Sequence, residues 1–240
     1  MSFEEWPTYL NHLRELEAAG LITRTFRRLD PQRQKAVLDA ILGDAVEKGP
    51  ASVRIKEIAA RAGVSVGSLY QYFPDRDHLI DFAVELGKRY FYDLFDLSEP
   101  YLLAMPLEEA LKSYLQYGVE WGQSEASLVH FFGRAAYQGD ARLTKTLVEP
   151  VAERMRALLE RLLVQAVARG ELRPDCDVPA TARLLHVLTL GLGDSQLLPY
   201  LDAYFQVGAQ EMPFSRIMQA LMDLLRSGLL VNHMEGRDHA

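Results

Sequence analysis

Apolar residues recur at helical spacing along nearly the whole chain, and no useful length of it shows the alternation that is typical of a half-buried strand. The first well-defined helix is predicted to start at Asp30-Pro31, with Asp as the N-cap and Pro at the first helical position. Gly49-Pro50 ends it, since Gly suits a left-handed cap and Pro cannot continue a helix. Its predicted buried stripe is Val37, Leu38, Ile41, Leu42 and Ala45. The pattern indicates an all-α protein.

Two short helices with a tight turn between them are predicted next, at about residues 55–62 and 65–72. Gly63 lies at the turn, where a residue without Cβ adopts a positive φ at little cost. The apolar or small side chains that stand where the two helices must cross are Ile58, Ala59, Ala62, Val64 and Leu69. This arrangement is typical of a helix-turn-helix, whose second helix enters the major groove of DNA.

A long third helix is predicted to start at Asp75, whose carboxylate caps it, and to end at Ser98-Glu99-Pro100. It is too long to belong to the small module alone, so we interpret residues 75 to about 95 as a connector to a second domain. Further helices are predicted at 106–122, 124–138, 140–170, 178–198 and 214–230. The 140–170 segment forms either one helix or two that meet at Glu149-Pro150. The last two helices are apolar on more than one face, which indicates that they also cover a partner.

The first 29 residues permit two interpretations. Trp6, Tyr9, Leu10, Leu13 and Leu16 fall on one helical stripe, and residue 20 is a glycine that suits a helix stop. The segment is therefore either a short helix docked on the body or a frayed arm.

Charge is distributed unevenly along the 240 residues, whose formal net charge is −7. A basic cluster surrounds the start of the first helix and comprises Arg24, Arg27, Arg28, Arg33 and Lys35. An acidic body with a locally basic end is compatible with DNA binding. These cations either follow a duplex or form a solvated face.

Several classes of function are disfavoured by what the sequence lacks. It contains one cysteine, Cys176, no signal-like first segment and no apolar run of bilayer length, so we expect a cytoplasmic protein that does not enter membranes. We find no nucleophile elbow, no phosphate-binding glycine loop and no metal-ligand spacing of His and Cys. We therefore expect no enzymatic activity, no cofactor and no metal site.

The string GVSVGSLYQYFPDRDHLI and the order of the helices resemble the TetR family of bacterial transcriptional repressors, over roughly residues 31–95. The matching residues are Gly63, Val64, Gly67, Leu69, Tyr70, Tyr72, Phe73, Arg76 and Leu79. Three positions depart from the family pattern: Arg76 replaces the usual Lys, Gln71 an aromatic residue or His, and Pro74 a residue that is often basic. None of these is expected to break the fold.

The resemblance implies a DNA-binding surface formed by Lys56, Val66, Gly67, Ser68, Tyr70, Gln71, Tyr72 and Arg76. Ser68 and Gln71 are the implied base readers, and Val66 would meet a thymine methyl group. The hydroxyls of Tyr70 and Tyr72 would hold phosphates and fix the register. The alternative is that these two tyrosines are packing residues with solvated hydroxyls.

The resemblance also implies a larger C-terminal helical domain for ligand binding and dimerisation. The candidate pocket residues are Tyr117, Trp121, His130, Phe131, Tyr137 and His186, although any single aromatic residue is more often core. A two-fold dimer is needed to read a palindrome, and its interface is expected on the last two helices. The residues that would form it are Gly191, Gly193, Leu221, Leu224 and Leu225.

The expected organisation is an N-terminal extension (1–29), a helix-turn-helix domain (30–78), a ligand-binding and dimerisation domain (79–232) and a tail (233–240). The expected function is that of a ligand-responsive repressor, which binds a palindromic operator as a homodimer and is released by an apolar or aromatic small molecule. The alternatives are a helical sensor of the same fold without specific DNA binding, or an activator.

Overall fold

The computed structural model describes residues 9–208 and 212–228, and these ranges form helices with no strand. The helices are α1 (Tyr9–Ala18), α2 (Arg24–Arg27), α3 (Pro31–Lys48), α4 (Ile55–Ala62), α5 (Val66–Tyr72), α6 (Arg76–Ala104), α7 (Leu107–Ser124), α8 (Ala126–Gln138), α9 (Ala141–Leu143), α10 (Glu149–Ala168), α11 (Val178–Leu197), α12 (Pro199–Phe205) and α13 (Phe214–Gly228). The all-α prediction is confirmed. Within the described ranges, no helix combines the length and apolarity that a bilayer crossing requires.

The chain divides into two compact units. The first unit comprises Met1–Leu94 and Gly122–Ala152, and the second comprises Phe95–Trp121 and Glu153–Ala240. Helices α6, α7 and α10 each contribute residues to both units. The functional division at residues 30 and 79 stays a prediction.

Helix α3 forms where the sequence predicts it. The Asp30 carboxylate accepts a hydrogen bond from the backbone N–H of Arg33 at 2.9 Å, and Pro31 occupies the first turn. Gly49 ends the helix with φ +89°, and its N–H donates to the Ala45 carbonyl at 2.9 Å. All five predicted stripe residues of this helix are buried. The buried face of this helix therefore supports the helix-turn-helix.

The N-terminal extension is a docked element over the range that the structure describes. Tyr9, Leu13 and Leu16 of α1 are buried, whereas Leu10 is 60% exposed, so the prediction that it shares the buried stripe was wrong. Trp6 lies outside the described residues. The Phe26 side chain of α2 is fully buried. Residues 9–28 are therefore packed, which removes the frayed-arm alternative for this range.

Helix α6 is longer than predicted. The Asp75 carboxylate caps it as expected, accepting from the N–H groups of residues 77 and 78 at 2.9 and 3.1 Å. The prediction that Ser98-Glu99-Pro100 ends it was wrong, because the helix continues through Pro100 to Ala104. Long-range contacts hold the last turn: the Arg169 guanidinium donates to the carbonyls of Leu103 and Met105, both at 2.8 Å. A local pattern cannot reveal an anchor more than sixty residues away.

The segment 140–170 is helical without a break from Ala141 to Ala168, and the helix changes type near the predicted junction at Glu149-Pro150. A π-helical segment, Thr144–Val148, separates α9 from α10, and Pro150 lies in the first turn of α10, where its missing N–H costs no hydrogen bond. Helix α12 was not predicted. Helix α13 is described to Gly228, and the predicted residues 229 and 230 lie outside the described ranges.

Phe26→Ala should show that the extension is part of the folded core. Phe26 is fully buried, so its removal leaves a cavity and should lower the free energy of unfolding by about 3–5 kcal/mol. Urea unfolding measures this. Leu10→Ala, in the same extension but 60% exposed, should cost less than about 0.5 kcal/mol. Equal, small effects of both substitutions would show that the extension is frayed.

Candidate nucleic-acid interface

The turn between α4 and α5 is closed by backbone geometry. Gly63 has φ +65°, and the next residue, Val64, donates its N–H to the Ala59 carbonyl at 3.0 Å. An added Cβ at Gly63 would meet nothing within 4 Å, so the positive φ and not the space favours glycine here. The Ser65 hydroxyl then caps α5 by accepting from the N–H of Ser68 at 2.9 Å. The turn therefore fixes the orientation of α5 relative to α4.

Helix α5, the recognition helix, presents an uncharged polar face. Gly67, Tyr70 and Gln71 are exposed, with Tyr70 at 58%, while Val66 and Ser68 are half-buried. Leu69 is buried on the opposite face, as predicted. Short polar side chains on a fixed helix are suited to hydrogen bonding with base edges.

Tyr72 does not belong to that exposed face. It is only 7% exposed, and its ring lies edge-on to Phe26, with centroids 5.8 Å apart. The expectation that Tyr72 is exposed was therefore wrong, and the packing alternative describes its ring. The reason is that Phe26 of the N-terminal extension packs against Tyr72. The sequence did not indicate this contact between the extension and the recognition helix.

Thr23 fixes the C-terminal end of the recognition helix. Its backbone N–H donates to the Tyr72 carbonyl at 2.9 Å, and its hydroxyl donates to the Gln71 carbonyl at 2.6 Å. The same hydroxyl accepts from the N–H of Phe26 and so caps α2. Sequence reasoning missed Thr23 and Phe26 as supports of the site. A threonine before a helical turn that contains an apolar residue was the available signal.

The cations around α5 differ in how they are paired. Lys56 is exposed and forms no ion pair within residues 9–208 and 212–228. The Arg76 guanidinium donates to the Ala51 carbonyl, so this side chain also holds the loop before α4. Arg61 is paired with Glu47. Of the two cations predicted to contact DNA, Lys56 is therefore more available for a phosphate than Arg76.

The N-terminal basic cluster is likewise divided. Three of its members have acidic partners: Arg27 pairs with Glu17, Arg33 with Asp30, and Lys35 with Asp39 and Glu125. Arg24 and Arg28 are exposed, and neither side chain forms an ion pair or hydrogen bond with any described residue. The cluster is therefore a partly neutralised face with two free cations.

Asp44 joins α3 to the start of the helix-turn-helix. Its carboxylate is fully buried, and it accepts from the Lys48 ammonium at 2.6 Å and from the backbone N–H of Arg54 at 2.8 Å. Burial by itself raises the pKa of Asp44, but these two hydrogen bonds and the charges of Lys48 and Arg61 outweigh it and lower the pKa. The ionised carboxylate thereby positions the residue that precedes α4.

The model of bacterial regulatory proteins of the tetR family matches residues 37–82, which contain α4, α5 and the start of α6. The helix-turn-helix region belongs to the TetR family. A segment of 59 residues is 42% identical to the HTH-type transcriptional repressor KstR of Mycolicibacterium smegmatis, and it covers 25% of this chain and 28% of that protein. The match thus spans little more than a quarter of that repressor.

Two solved structures share the fold over most of the chain. A TetR family transcriptional regulator from Chloroflexus aurantiacus is 22% identical, with a TM-score of 0.58 over 88% of this chain and 99% of that one. The fatty acid degradation regulator FadR from Bacillus halodurans is 17% identical, with a TM-score of 0.59 over 81% and 98%. At this identity the likeness shows the fold and not the ligand.

The candidate ligand residues fall in both units of the chain. In the first unit, Phe131 is buried, Tyr137 is 47% exposed and His130 is half-buried. In the second unit, Tyr117 is 58% exposed and Trp121 is half-buried. Phe131 lines a cavity of about 240 Å³ together with Gly49, Pro50, Ala51, Arg134, Ala135, Gln138, Asp140 and Leu143. Their role in binding stays a prediction.

Buried polar atoms without a hydrogen-bond partner among the described residues occur in the second unit. They include the Tyr114 hydroxyl and Nδ1 of His186. Burial raises the pKa of Tyr114. Burial and then the charge of Arg156 lower the pKa of His186, which favours the neutral ring. Tyr114 was not among the candidate ligand residues.

Helices α11 and α13 of the second unit carry exposed aliphatic side chains. Leu184, Val187 and Leu188 of α11 are 61%, 66% and 39% exposed, and Leu224 of α13 is 71% exposed. Leu221 is buried, so the expectation that it supplies free apolar surface was wrong. An added Cβ at Gly193 would meet nothing within 4 Å, so space remains beside it.

Asp44→Asn tests the buried carboxylate. Because its pKa is lower in the folded than in the unfolded chain, the carboxylate stabilises the fold fully above its ordinary value of about 3.9, and this contribution is lost as the pH falls through the folded value. The variant should unfold at neutral pH with a free energy lower by about 1–3 kcal/mol and show a flatter loss of stability in acid. Urea titrations across pH measure both.

Asp39→Asn is the matched control on the same helix. Its carboxylate is 38% exposed and pairs with Lys35, so the change should cost less than about 1 kcal/mol. If the Asp44 variant had the stability and the acid profile of the wild type, Asp44 would not be needed to position Arg54.

Proposed function

We propose that this protein is a ligand-responsive transcriptional repressor that binds a palindromic DNA operator as a homodimer. The observation that carries the proposal is the recognition helix: a TetR-type α5 held rigidly through Leu69 and Tyr72, with Ser68, Tyr70 and Gln71 on its polar side. A helix fixed in this way can enter a major groove without losing much conformational freedom.

The proposed contacts divide into base readers and phosphate binders. Gln71 is exposed and reads adenine bidentately, and Val66 meets a thymine methyl group. Ser68 contributes through a hydroxyl that lies 2.8 Å from the Ser65 hydroxyl, so it is already oriented. The Tyr70 hydroxyl binds phosphate, while the open surface at Gly67 lets the backbone approach.

Phosphate binding is completed by cations outside the recognition helix. Lys56 is free to reach a phosphate, and Arg76 binds one with the guanidinium N–H groups that it does not donate to Ala51. We assign Tyr72 to packing and expect at most its hydroxyl to reach DNA.

Selection of binding sites from random DNA with the full chain tests this function. A specific dimeric regulator returns a palindrome, with half-sites about 34–36 Å apart or a multiple of it. Recovery of unrelated sequences would favour a helical sensor of the same fold. A reporter placed behind the selected site then separates repression from activation.

The ligand response is proposed for the second unit. A buried polar atom without a partner costs about 1–3 kcal/mol, which a ligand can offset by forming the missing hydrogen bond. The Tyr114 hydroxyl and the neutral His186 ring therefore favour a mainly apolar or aromatic effector with a polar group. Such an effector weakens DNA binding by its preference for the conformation that does not fit the operator.

The dimer is proposed to form through α11 and α13. On α11, the exposed side chains of Leu184, Val187 and Leu188 and then the small Gly191 lie at helical spacing. They form an apolar stripe that a second helix can cover. Two-fold symmetry places identical stripes against one another.

Gln71→Ala should relax base discrimination at one position of each half-site by about 1–3 kcal/mol. The amide is exposed, so its loss leaves the fold unchanged. Competition binding with operators altered one base pair at a time measures the effect. Gln138→Ala, exposed at the end of α8, is the control and should keep full discrimination. An unaltered preference in the Gln71 variant would exclude Gln71 as a base reader.

Leu224→Glu should convert the dimer to monomers, because it places a charge in an apolar interface. Sedimentation velocity measures the mass in solution. Val164→Glu on α10 is the control, since Val164 is 55% exposed but lies outside the proposed interface, and it should stay dimeric. A dimer that persists in the Leu224 variant would place the contact elsewhere.

A further inference from the structure

Helix α2 is a rigid neighbour of the recognition helix, although it lies before the segment that matches the TetR model. The two Thr23 hydrogen bonds hold it at the C-terminal end of α5, and the Phe26 ring packs 5.2 Å from the Phe73 ring just beyond that end. Wherever α5 lies on DNA, α2 therefore lies beside its C-terminal end.

Two exposed cations without an acidic partner among the described residues lie at the start of α2 and directly after its end. Arg24 follows Thr23 directly, and Arg28 comes one turn later. Neither has an acidic partner in the described part of the chain, whereas Arg27 between them is half-buried and paired with Glu17. An unpaired guanidinium keeps all five N–H donors available, and it binds phosphate bidentately.

The recognition helix cannot neutralise phosphates by itself, because its seven residues carry no charge. At a rise of 1.5 Å per residue it is about 10 Å long, close to the major-groove width of about 12 Å. Both of its ends therefore approach the phosphates that border the groove. At its C-terminal end, Thr23 has already satisfied two carbonyls that would otherwise face those phosphates.

We propose that Arg24 and Arg28 form a second phosphate-binding site, which clamps the DNA strand that borders the groove at the C-terminal end of the recognition helix. This proposal rests on the DNA-binding function proposed above and extends its surface beyond the family segment. Because α2 is pre-positioned by Thr23 and Phe26, the clamp requires no folding on binding.

The test measures DNA affinity against salt concentration for the full chain, with the duplex recovered from random DNA as the probe. Each phosphate contact contributes about 0.9 to the slope of log affinity against log salt, so Arg24→Ala with Arg28→Ala should lower its magnitude by about 1.8. Base preference should stay unchanged. Arg27→Ala, which removes a paired arginine from the same turn, is the control and should leave the slope as it was.

Two further measurements separate a contact from a general loss of positive charge. Arg24→Lys with Arg28→Lys should retain most of the slope, since the charge remains. Replacing single phosphates of the duplex by neutral methylphosphonates should lower the DNA affinity of the wild type at one or two positions. At those positions the affinity of the double alanine variant should not fall further.

The clamp would be overturned, while DNA binding stands, if the double alanine variant kept the wild-type salt slope. It would also be overturned if Arg27→Ala lowered the slope as much as the double alanine variant does. A wild-type protein that binds no duplex would overturn the proposed function, and the clamp with it. Thermal unfolding of each variant checks that these exposed substitutions leave the fold intact.

Discussion

The structure depends on one apolar contact: the aromatic cluster that forms beneath the recognition helix. Phe26 comes from α2, Phe73 from the end of α5 and Phe82 from α6, and the three rings lie with centroids 5.0 to 5.2 Å apart. All three are almost fully buried, so each contributes both area and tilted ring contacts. Side chains from the N-terminal extension and from α6 thereby fix one short helix, which would not be stable in isolation.

Polar contacts then set the direction in which that helix points. Asp44 holds the residue before α4, Ser65 caps α5, and Thr23 binds the carbonyls at the end of α5. Each contact satisfies backbone groups that helix ends leave without a partner. The recognition helix is thus held at both ends and on one face, and only its polar side remains for a ligand. The net charge of −7 does not conflict with the proposed DNA binding, because a partner meets the local surface around α5 and not the total charge.

The elements that the sequence predicted well are those with local chemistry. Asp30, Gly63 and Asp75 act on their own neighbours, so the start of α3, the turn before α5 and the start of α6 were readable from spacing alone. Two of the misplaced features depend on distant residues. Pro100 does not end α6 because Arg169 holds the following turn, and Tyr72 is buried because Phe26 covers it. The DNA-contact positions were inferred from a resemblance, and only their exposure can be compared with the structure.

The proposed function requires that the polar side of the recognition helix reads a specific DNA sequence. The most direct measurement is a fluorescence anisotropy titration of the effector-free full chain with the selected palindrome and with a duplex of the same composition in scrambled order, at physiological salt. The palindrome should bind at least about a thousandfold more tightly, which is the lower end of what specific DNA-binding proteins achieve. Equal affinity for the two duplexes would contradict it.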